Sequence, residues 1–452
     1  MSTTVPSVAI PDRTWLDRVM RPVAEVEAGE AATALLLTLN VFLLLTAYYI
    51  IKPVREALIL TGGGAEIKSY TGAVQAFLFL FIVPAYGAFA SKVNRIRLIN
   101  GVSLFFIANL ALFFLLGKAG VPLGIPFFLW VGIFNVMIIA QFWSFANDLY
   151  TPEQGKRLFA IVGVGSSVGA VAGSKAAGLL FESLDAFLMM LVSATILAVC
   201  LVLTNVIHSR EKDRAQHPFM RQQADQPLSK DGGFQLVIHH RYLLFIGLLT
   251  LIINVVNTNG EYILGKTFSR VAGEAVAAGT AGGLSERQLI GGYYADFQFW
   301  QNLLGALFQM FFVSRILKYL DVRRALFIMP AISLCGYGVL AAAPILAYIR
   351  VAKILENSTD YSLQNTVRHA LFLPTSREAK YKAKQAVDTF FWRTGDMLSG
   401  VTVFVGAGLL GLGVRNFAVV NIGLVLLWLL FAAGIAREHR ALTTTATLNA
   451  ER

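Results

Sequence analysis

Charged side chains interrupt several long apolar stretches, and these residues are the ones that could bind a solute. In AYYIIKPVREALILTGG, Lys52, Arg55 and Glu56 lie within an apolar run, and Pro53 frees a backbone carbonyl beside them. Arg binds phosphate and carboxylate oxygens through two parallel hydrogen bonds, so this group is typical of an anion site. Alternatively, the group anchors one end of a helix at a membrane surface.

A second charged group follows a helical period. In AYIRVAKILENSTDYSLQNTVRH, Arg350, Lys353, Glu356 and Asp360 recur every three or four residues and therefore share one face of a helix. A charge left in hydrocarbon costs about 2.5–3.5 kcal/mol, so these groups must be paired, hydrated or neutralised by a ligand. A structural ladder, in which Lys353 pairs with Glu356 or Asn357, remains the alternative.

Further candidates lie in three other segments. Asp148 ends QFWSFAND, Glu261 and Lys266 belong to NVVNTNGEYILGK, and Arg393 and Asp396 belong to AVDTFFWRTGDMLSG. Asp148 suits a helix cap as well as a ligand contact, and the last pair suits an ion pair as well as a cavity. The sequence contains no catalytic triad or metal-ligand spacing. We therefore expect no enzyme activity, no metal and no cofactor.

A glycine-rich segment, GVGSSVGAVAGSK, resembles a phosphate loop only superficially. Lys175 follows Ser174 rather than a glycine, and no strand precedes the segment, so the Walker pattern fails. The spacing of Gly165, Gly169 and Gly173 instead predicts close helix packing.

The elements that must position these residues are membrane helices. Of 452 residues, 56% are hydrophobic and 14% are charged, against about 25% charged in soluble chains. Apolar runs of about 20 residues recur along the chain, and each is long enough to cross about 30 Å of hydrocarbon. We predict an all-α membrane protein of twelve transmembrane helices, at 32–61, 67–91, 98–117, 124–148, 158–181, 186–207, 241–264, 288–313, 325–344, 345–366, 386–410 and 416–436.

The net charge of +11 reports topology rather than nucleic-acid binding. Of 38 Lys and Arg, 26 fall in the termini and the loops on the same side, while 6, Lys68 among them, fall in the opposite loops. This bias predicts a multi-pass protein of the inner membrane with both termini in the cytoplasm. The expected partner is therefore the lipid bilayer and not a nucleic acid.

The chain divides into two six-helix halves. The polar stretch 208–240 predicts a cytoplasmic linker between halves at 32–207 and 241–436, with an amphipathic arm at 1–31 and a tail at 437–452. Predicted helices 3, 6, 9 and 12 contain no charged residue, whereas helices 1, 4, 7 and 10 do. A period of three in charge predicts four three-helix repeats, in which each first helix lines a cavity and each third faces lipid.

Four segments resemble the ATP:ADP antiporter family, the nucleotide transporters of plastids and intracellular bacterial parasites, which are distant relatives of the major facilitator superfamily. They are YYIIKPVREALILTGG, QFWSFANDLYTPEQGKRLFAIVGVGS, TDYSLQNTVRHALFLP and KYKAKQAVDTFFWRTGD, and they span both halves in the same order. The resemblance implies a major facilitator-like fold and exchange of nucleotides or related organic anions.

The resemblance also implies roles for single residues. The family's basic and acidic pair of helix 1 falls on Arg55 and Glu56, with Lys52 at another basic position. Its later acidic residues fall on Asp148 and Glu261, and Lys266 follows Glu261 with a spacing one residue longer than in the family.

The chain departs from the family in the eleventh helix, where Asp396 follows Gly395 and the nucleotide exchangers place Lys. The segment after Tyr361-Ser362-Leu363 also differs. These departures leave the solute open.

We therefore expect a monomeric secondary transporter that works by alternating access on a small anionic solute, a nucleotide or similar organic phosphate. One alternative is a transporter of the same fold that couples another solute to protons. A second alternative is a membrane enzyme or sensor that transports nothing.

Overall fold

The computed structural model describes residues 15–16, 27, 30–90, 93–150, 152–212, 233–376 and 379–450, which are mostly helical. No β-strand occurs within these ranges. The helices are α1 (Glu30–Ala90), α2 (Arg95–Lys118), α3 (Gly124–Leu149), α4 (Pro152–Phe181), α5 (Ala186–Lys212), α6 (Gly233–His239), α7 (Arg241–Ala277), α8 (Glu286–Phe311), α9 (Val313–Ala325), α10 (Ile328–Ala342), α11 (Leu346–Thr359), π1 (Asp360–Gln364), α12 (Asn365–Ala370), π2 (Ala379–Ala383), α13 (Lys384–Ala386), π3 (Val387–Phe391), α14 (Trp392–Val403), π4 (Phe404–Leu409) and α15 (Val414–Ala450).

The first helix, α1, contains both the first and the second predicted span. Its only non-helical residue is Gly64, whose φ of 75° and ψ of −178° suit a residue without a Cβ atom. The chain turns there without a loop, so Lys68 lies on a helix and is buried rather than in the outer loop predicted for it. The predicted bounds at 61 and 67 bracket this turn, so the error lay in counting Lys68 among the outer-loop cations.

The structure confirms a membrane protein with several apolar helices, but it does not confirm the predicted number of twelve. Seven helices of the described ranges are long and apolar enough to cross a membrane, or eight if α8 and α9, which meet at a 75° bend, form one span. Helix α10 has only 15 residues, and the segments from α11 to α12 and from π2 to π4 are polar and broken by π-helical turns. Helices with charged side chains that face a cavity are too polar to be recognised as membrane spans by their hydropathy. The number twelve therefore stays a prediction.

The predicted period of three reappears as a difference in burial. Half of the most apolar window is buried in α1 and in α3, and 67% is buried in α7. The corresponding values are 22% for α2, 39% for α5 and 33% for α15, which are the third, sixth and twelfth predicted spans. The least charged helices are thus the most exposed to their surroundings, as a lipid-facing position requires.

The glycine spacing of α4 produces close packing, as predicted. A Cβ atom on Gly169 would lie 2.4 Å from the backbone oxygen of Phe42, and those on Gly165 and Gly173 would meet α1 backbone oxygens at 2.5 and 2.6 Å. Three successive turns of α4 therefore contact three successive turns of α1 without intervening side chains.

Other predictions about the chain's organisation fall partly outside the described residues. Most of the arm at 1–31 and the linker centre at 213–232 lie outside them, while α5 and α6 flank the linker. Both cysteines are free: Cys200 is buried and Cys335 is exposed. Helix α7 continues through Gly260 without a break.

We expect Gly169→Ala to destabilise the protein, because its Cβ atom would overlap a backbone oxygen that cannot rotate away. The control is Gly163→Ala on the same helix, where no atom lies within 4 Å of the new Cβ and where alanine favours the helix by about 1 kcal/mol. Thermal unfolding of both purified variants in detergent should show a lower Tm for the first only. Equal Tm values would contradict the packing.

Candidate functional site

A polar cavity of about 310 Å³ lies between the two halves of the protein. Its walls come from α1, α3, α7, α8, α11, π1 and α14, so both halves contribute. The charged residues that line it are Lys52, Arg55, Glu56, Lys68, Glu261, Arg393 and Asp396, and its polar and aromatic residues include Tyr48, Gln75, Phe128, Asn254, Asn257, Thr258, Tyr294, Gln298, Gln301, Asn357, Tyr361 and Trp392.

The carboxylate of Glu56 holds two cations on one wall. Its side chain is 3% exposed, Arg55 donates to its Oε1, and Lys68 Nζ lies 2.7 Å from its Oε2. Lys68 also donates to the Tyr294 hydroxyl at 3.1 Å, which joins α1 of one half to α8 of the other. The guanidinium of Arg55 lies 4.6 Å from the centre of the Phe128 ring, which limits where it can move.

The second carboxylate of the cavity, Glu261, lies between the ammonium groups of Lys68 and Lys353. Its Oε2 is 3.8 Å from Lys68 Nζ, and its Oε1 is 4.0 Å from Lys353 Nζ. Asn357 donates to the same Oε1 at 3.1 Å. Glu261 is 27% exposed, so it is the carboxylate of the cluster that the cavity reaches most easily.

A buried pair stands behind this wall. Lys353 is 1% exposed and lies 2.7 Å from Glu356, and its ammonium also donates to Asn257 Oδ1 at 2.8 Å. The Tyr337 hydroxyl donates to Glu356 as well. A Cβ atom on Gly260 would lie 2.3 Å from that hydroxyl and 2.8 Å from Lys353 Nζ, so only glycine leaves room for both.

A separate pair lies on α14. Asp396 accepts from Asn254 at 2.8 Å and from Thr258 at 3.2 Å, both on α7. Arg393 reaches the same carboxylate at 3.5 Å, and its guanidinium lies 4.5 Å from the centre of the Phe79 ring on α1. Arg393 therefore connects the halves across the cavity.

Lys52 differs from the other cavity cations. Its ammonium lies 5.2 Å from the centre of the Tyr49 ring. Within the described residues it forms no salt bridge, whereas Arg55, Lys68 and Arg393 each have a carboxylate partner. It is the cation that an incoming anion can reach without displacing a carboxylate.

Three buried amide atoms at the cavity lack hydrogen-bond partners within the described residues. They are Gln298 Oε1, Gln301 Nε2 and Asn357 Oδ1. All three side chains are less than 5% exposed and line the cavity. Unpaired buried polar atoms are costly, so these are positions where a bound solute or water completes the hydrogen bonding.

The structure brings together half of the twelve sequence candidates. Lys353 and Glu356 form the buried pair behind the wall, as the ladder alternative predicted, and Asp360 is buried at the start of π1. Those that line the cavity are Lys52, Arg55, Glu56, Glu261, Arg393 and Asp396.

The other three candidates lie away from the cavity. Asp148 pairs with Arg95 and is half-exposed, Lys266 pairs with Glu66, and Arg350 pairs with Asp296 of α8 rather than with its own helix. Periodicity places residues on one face of a helix but does not give their depth along it. That is why Arg350 and Lys353 share a face and contact different elements.

Sequence reasoning also missed residues of the site. Lys68 was missed because the helix boundary fell beside it, and Tyr294, Gln298 and Gln301 were missed because they carry no charge. Their spacing in YYADFQFWQN, on one face of α8, was the available signal.

Hydrogen bonds between the halves gather at the end of the bundle opposite the chain termini. Glu66 accepts from Tyr262 at 2.9 Å and pairs with Lys266, and Gln288 donates to the backbone oxygen of Phe181 at 3.3 Å. These contacts join the two halves at that end.

Comparison with known proteins agrees with this architecture. No family model matches the chain. The chain is 22% identical to ADP,ATP carrier protein 1 of Chlamydia muridarum over 70% of its own length and 67% of that protein's. It is 22% identical to the carrier of the same name from Chlamydia trachomatis, over 69% and 66%. The matches thus span about two thirds of these relatives, and the resemblance predicted from the sequence motifs is confirmed.

Solved structures show the fold. A bacterial homologue of the iron transporter ferroportin in an inward-facing state matches with a TM-score of 0.62 and 13% identity over 90% of this chain and 98% of its own. The nucleoside transporter NupG matches with a TM-score of 0.60 and 13% identity over 91% and 99%. The bacterial Spinster homologue, inward-facing and unoccupied, gives 0.59 and 14% over 91% and 98%. The chain has the fold of major facilitator transporters.

We expect Glu56→Gln to lower stability sharply, because it leaves Arg55 and Lys68 buried without their counter-ion. Removing one partner of a buried pair costs about 3–5 kcal/mol. Adding Lys68→Met to Glu56→Gln should recover part of the loss, since one orphaned cation is removed. The Tm values of the two single variants and the double variant measure this coupling, and strict additivity would contradict it.

Proposed function

We propose that this protein is a secondary transporter that exchanges nucleotides or similar organic phosphates across the inner membrane by alternating access. In this proposal twelve helices cross the bilayer, both termini are cytoplasmic, and the protein acts as a monomer with the central cavity as its site. The similarity to ADP,ATP carrier proteins and the major facilitator fold support it.

The observation that carries the proposal is the concentration of cations at one wall of the cavity. Arg55 and Lys68 flank Glu56, and Lys52 lies three residues before Arg55 on the same helix with no salt bridge of its own in the described ranges. A phosphate group would contact Lys52 first and then accept hydrogen bonds from Arg55. A neutral solute would leave Lys52 without a counter-ion in the cavity.

The remainder of the cavity suits the uncharged part of such a solute. Gln298, Gln301 and Asn357 offer two acceptors and one donor that lack partners within the described residues. Aromatic rings of Phe128, Tyr361 and Trp392 lie on the cavity wall. A solute with a planar, hydrogen-bonding group beside a phosphate, as in a nucleotide, uses both sets.

Exchange follows from competition for the same cations. In the structure Glu56 is the partner of Arg55 and Lys68, and Glu261 approaches Lys68 as well. A bound phosphate replaces part of these contacts and lets the two halves separate at the end where Glu66 and Gln288 join them. Without it, Lys68 holds α1 near Glu261 of α7 and Tyr294 of α8, which disfavours return of the empty carrier. The roles proposed are solute binding for Lys52, Arg55, Lys68 and Arg393 and counter-ion for Glu56, Glu261 and Asp396.

One observation favours a second candidate, proton-coupled uptake. Asp360 is 7% exposed, and its carboxylate has no hydrogen bond or ion pair with any described residue. Buried carboxylates within membrane segments mark ion and proton pathways. Uptake into vesicles without internal solute, abolished by a protonophore, would favour this candidate over exchange.

Reconstitution into liposomes tests the proposal directly. Vesicles preloaded with unlabelled nucleotide should take up labelled nucleotide at least tenfold faster than empty vesicles, because only a loaded carrier reorients. Protein-free vesicles give the background. Equal uptake into loaded and empty vesicles would contradict exchange.

We expect Lys52→Gln to reduce nucleotide exchange at least tenfold and to leave Tm nearly unchanged, because the ammonium binds solute and has no counter-ion to orphan. The matched control is Lys175→Gln on α4, an exposed lysine outside the central cavity whose ammonium faces the Phe299 ring. Wild-type exchange by Lys52→Gln would remove this residue from the site.

A further inference from the structure

The ionised groups of the cavity set a limit on the charge of its solute. Four basic side chains and three acidic ones line it, so its walls carry one net positive charge. Arg55, Lys68 and Arg393 have carboxylate partners, and the excess is the charge of Lys52. The buried pair behind the wall, Lys353 with Glu356, adds no net charge.

The carboxylates remain in the cavity when a solute binds. Glu56 is 3% exposed and bound to Arg55 and Lys68 from two sides, so it cannot leave the site. Asp396 is fixed by Asn254 and Thr258 of α7. A polyanion entering this space therefore meets two fixed negative charges as well as the cations.

The charge of a nucleotide rises with each phosphate. A phosphate monoester carries about −1.5 to −2 at neutral pH, and each further phosphate adds about one more negative charge. Against one net positive charge, a monophosphate leaves a small excess, whereas a triphosphate leaves an excess of about three. Uncompensated charge between protein walls is unfavourable, because it is screened less than in bulk water.

We propose that the cavity selects organic phosphates with a single phosphate group, nucleoside monophosphates among them, over di- and triphosphates. This inference rests on the proposed function and narrows its substrate class. The monophosphate lies against Lys52 and Arg55, and the amides of Gln298 and Gln301 bind the uncharged part. Asp396 is the specificity-determining residue, because its charge opposes additional phosphates.

The test is competition in liposomes that contain the full chain, in a magnesium-free buffer with a chelator. AMP-loaded vesicles take up labelled AMP, and unlabelled AMP, ADP and ATP compete from outside. We expect the half-inhibitory concentration to rise in that order, with at least a tenfold difference between AMP and ATP, equivalent to about 1.4 kcal/mol.

A charge-changing variant supplies the second arm. Asp396→Asn raises the net charge of the cavity by one, so the ratio of ATP to AMP half-inhibitory concentrations should fall at least threefold. The control is Asp185→Asn, which makes the same change at a surface residue paired with Lys118 and should leave the ratio unchanged. If Asp396→Asn does not fold, Glu261→Gln makes the same change at the more exposed carboxylate.

The outcomes separate the two proposals. ATP competing as well as AMP, or a ratio that Asp396→Asn and Glu261→Gln leave unchanged, overturns the charge selection and leaves nucleotide exchange standing. Failure of all three nucleotides to compete, together with no AMP uptake, overturns both.

Discussion

A buried charge must have a partner, and this requirement organises the centre of the protein. Glu56, with a side chain 3% exposed, is held by Arg55 of its own helix and by Lys68 at 2.7 Å. The Lys68 side chain then reaches Tyr294 and approaches Glu261, both of the other half. One of the cations that neutralise Glu56 therefore also joins the two halves, and any solute that competes for Lys68 acts on that joint.

The fold supplies these partners through a few backbone features. At Gly64 the second part of α1 turns back toward the first part. This places Lys68 beside Glu56, which lies twelve residues earlier in the sequence. The absence of a side chain at Gly260 leaves space for Lys353. Close packing of α4 on α1 fixes the helix from which Lys52 and Arg55 project. The cavity thus depends on glycine positions that contribute no chemistry of their own.

The sequence predicted the class of the fold and the charged nature of the site better than it predicted which residues form the site. The period of three in charge predicted that each third helix faces lipid, and the burial of the helices agrees. It also predicted a cavity lined by the first helix of each repeat, whereas the second, eighth and eleventh predicted helices line the cavity as well. Lys353 and Glu356 form the pair that was one of the alternatives, because their i,i+3 spacing allows contact within one helix. Lys68 and the pairing of Arg350 with Asp296 depend on how distant helices meet, which local periodicity does not contain. Uncharged residues such as Gln298 carry no signal against an apolar background, so only the structure places them at the cavity.

The most direct measurement is a cryo-electron microscopy map of the full-length protein with a nucleotide bound. The account predicts phosphate density within hydrogen-bonding distance of Lys52 and Arg55, with the remainder of the nucleotide toward Gln298 and Gln301. Phosphate density outside the central cavity, such as in the smaller groove beside Lys175 and Asp296, would contradict it. So would an occupied cavity in which the anion contacts none of the α1 cations.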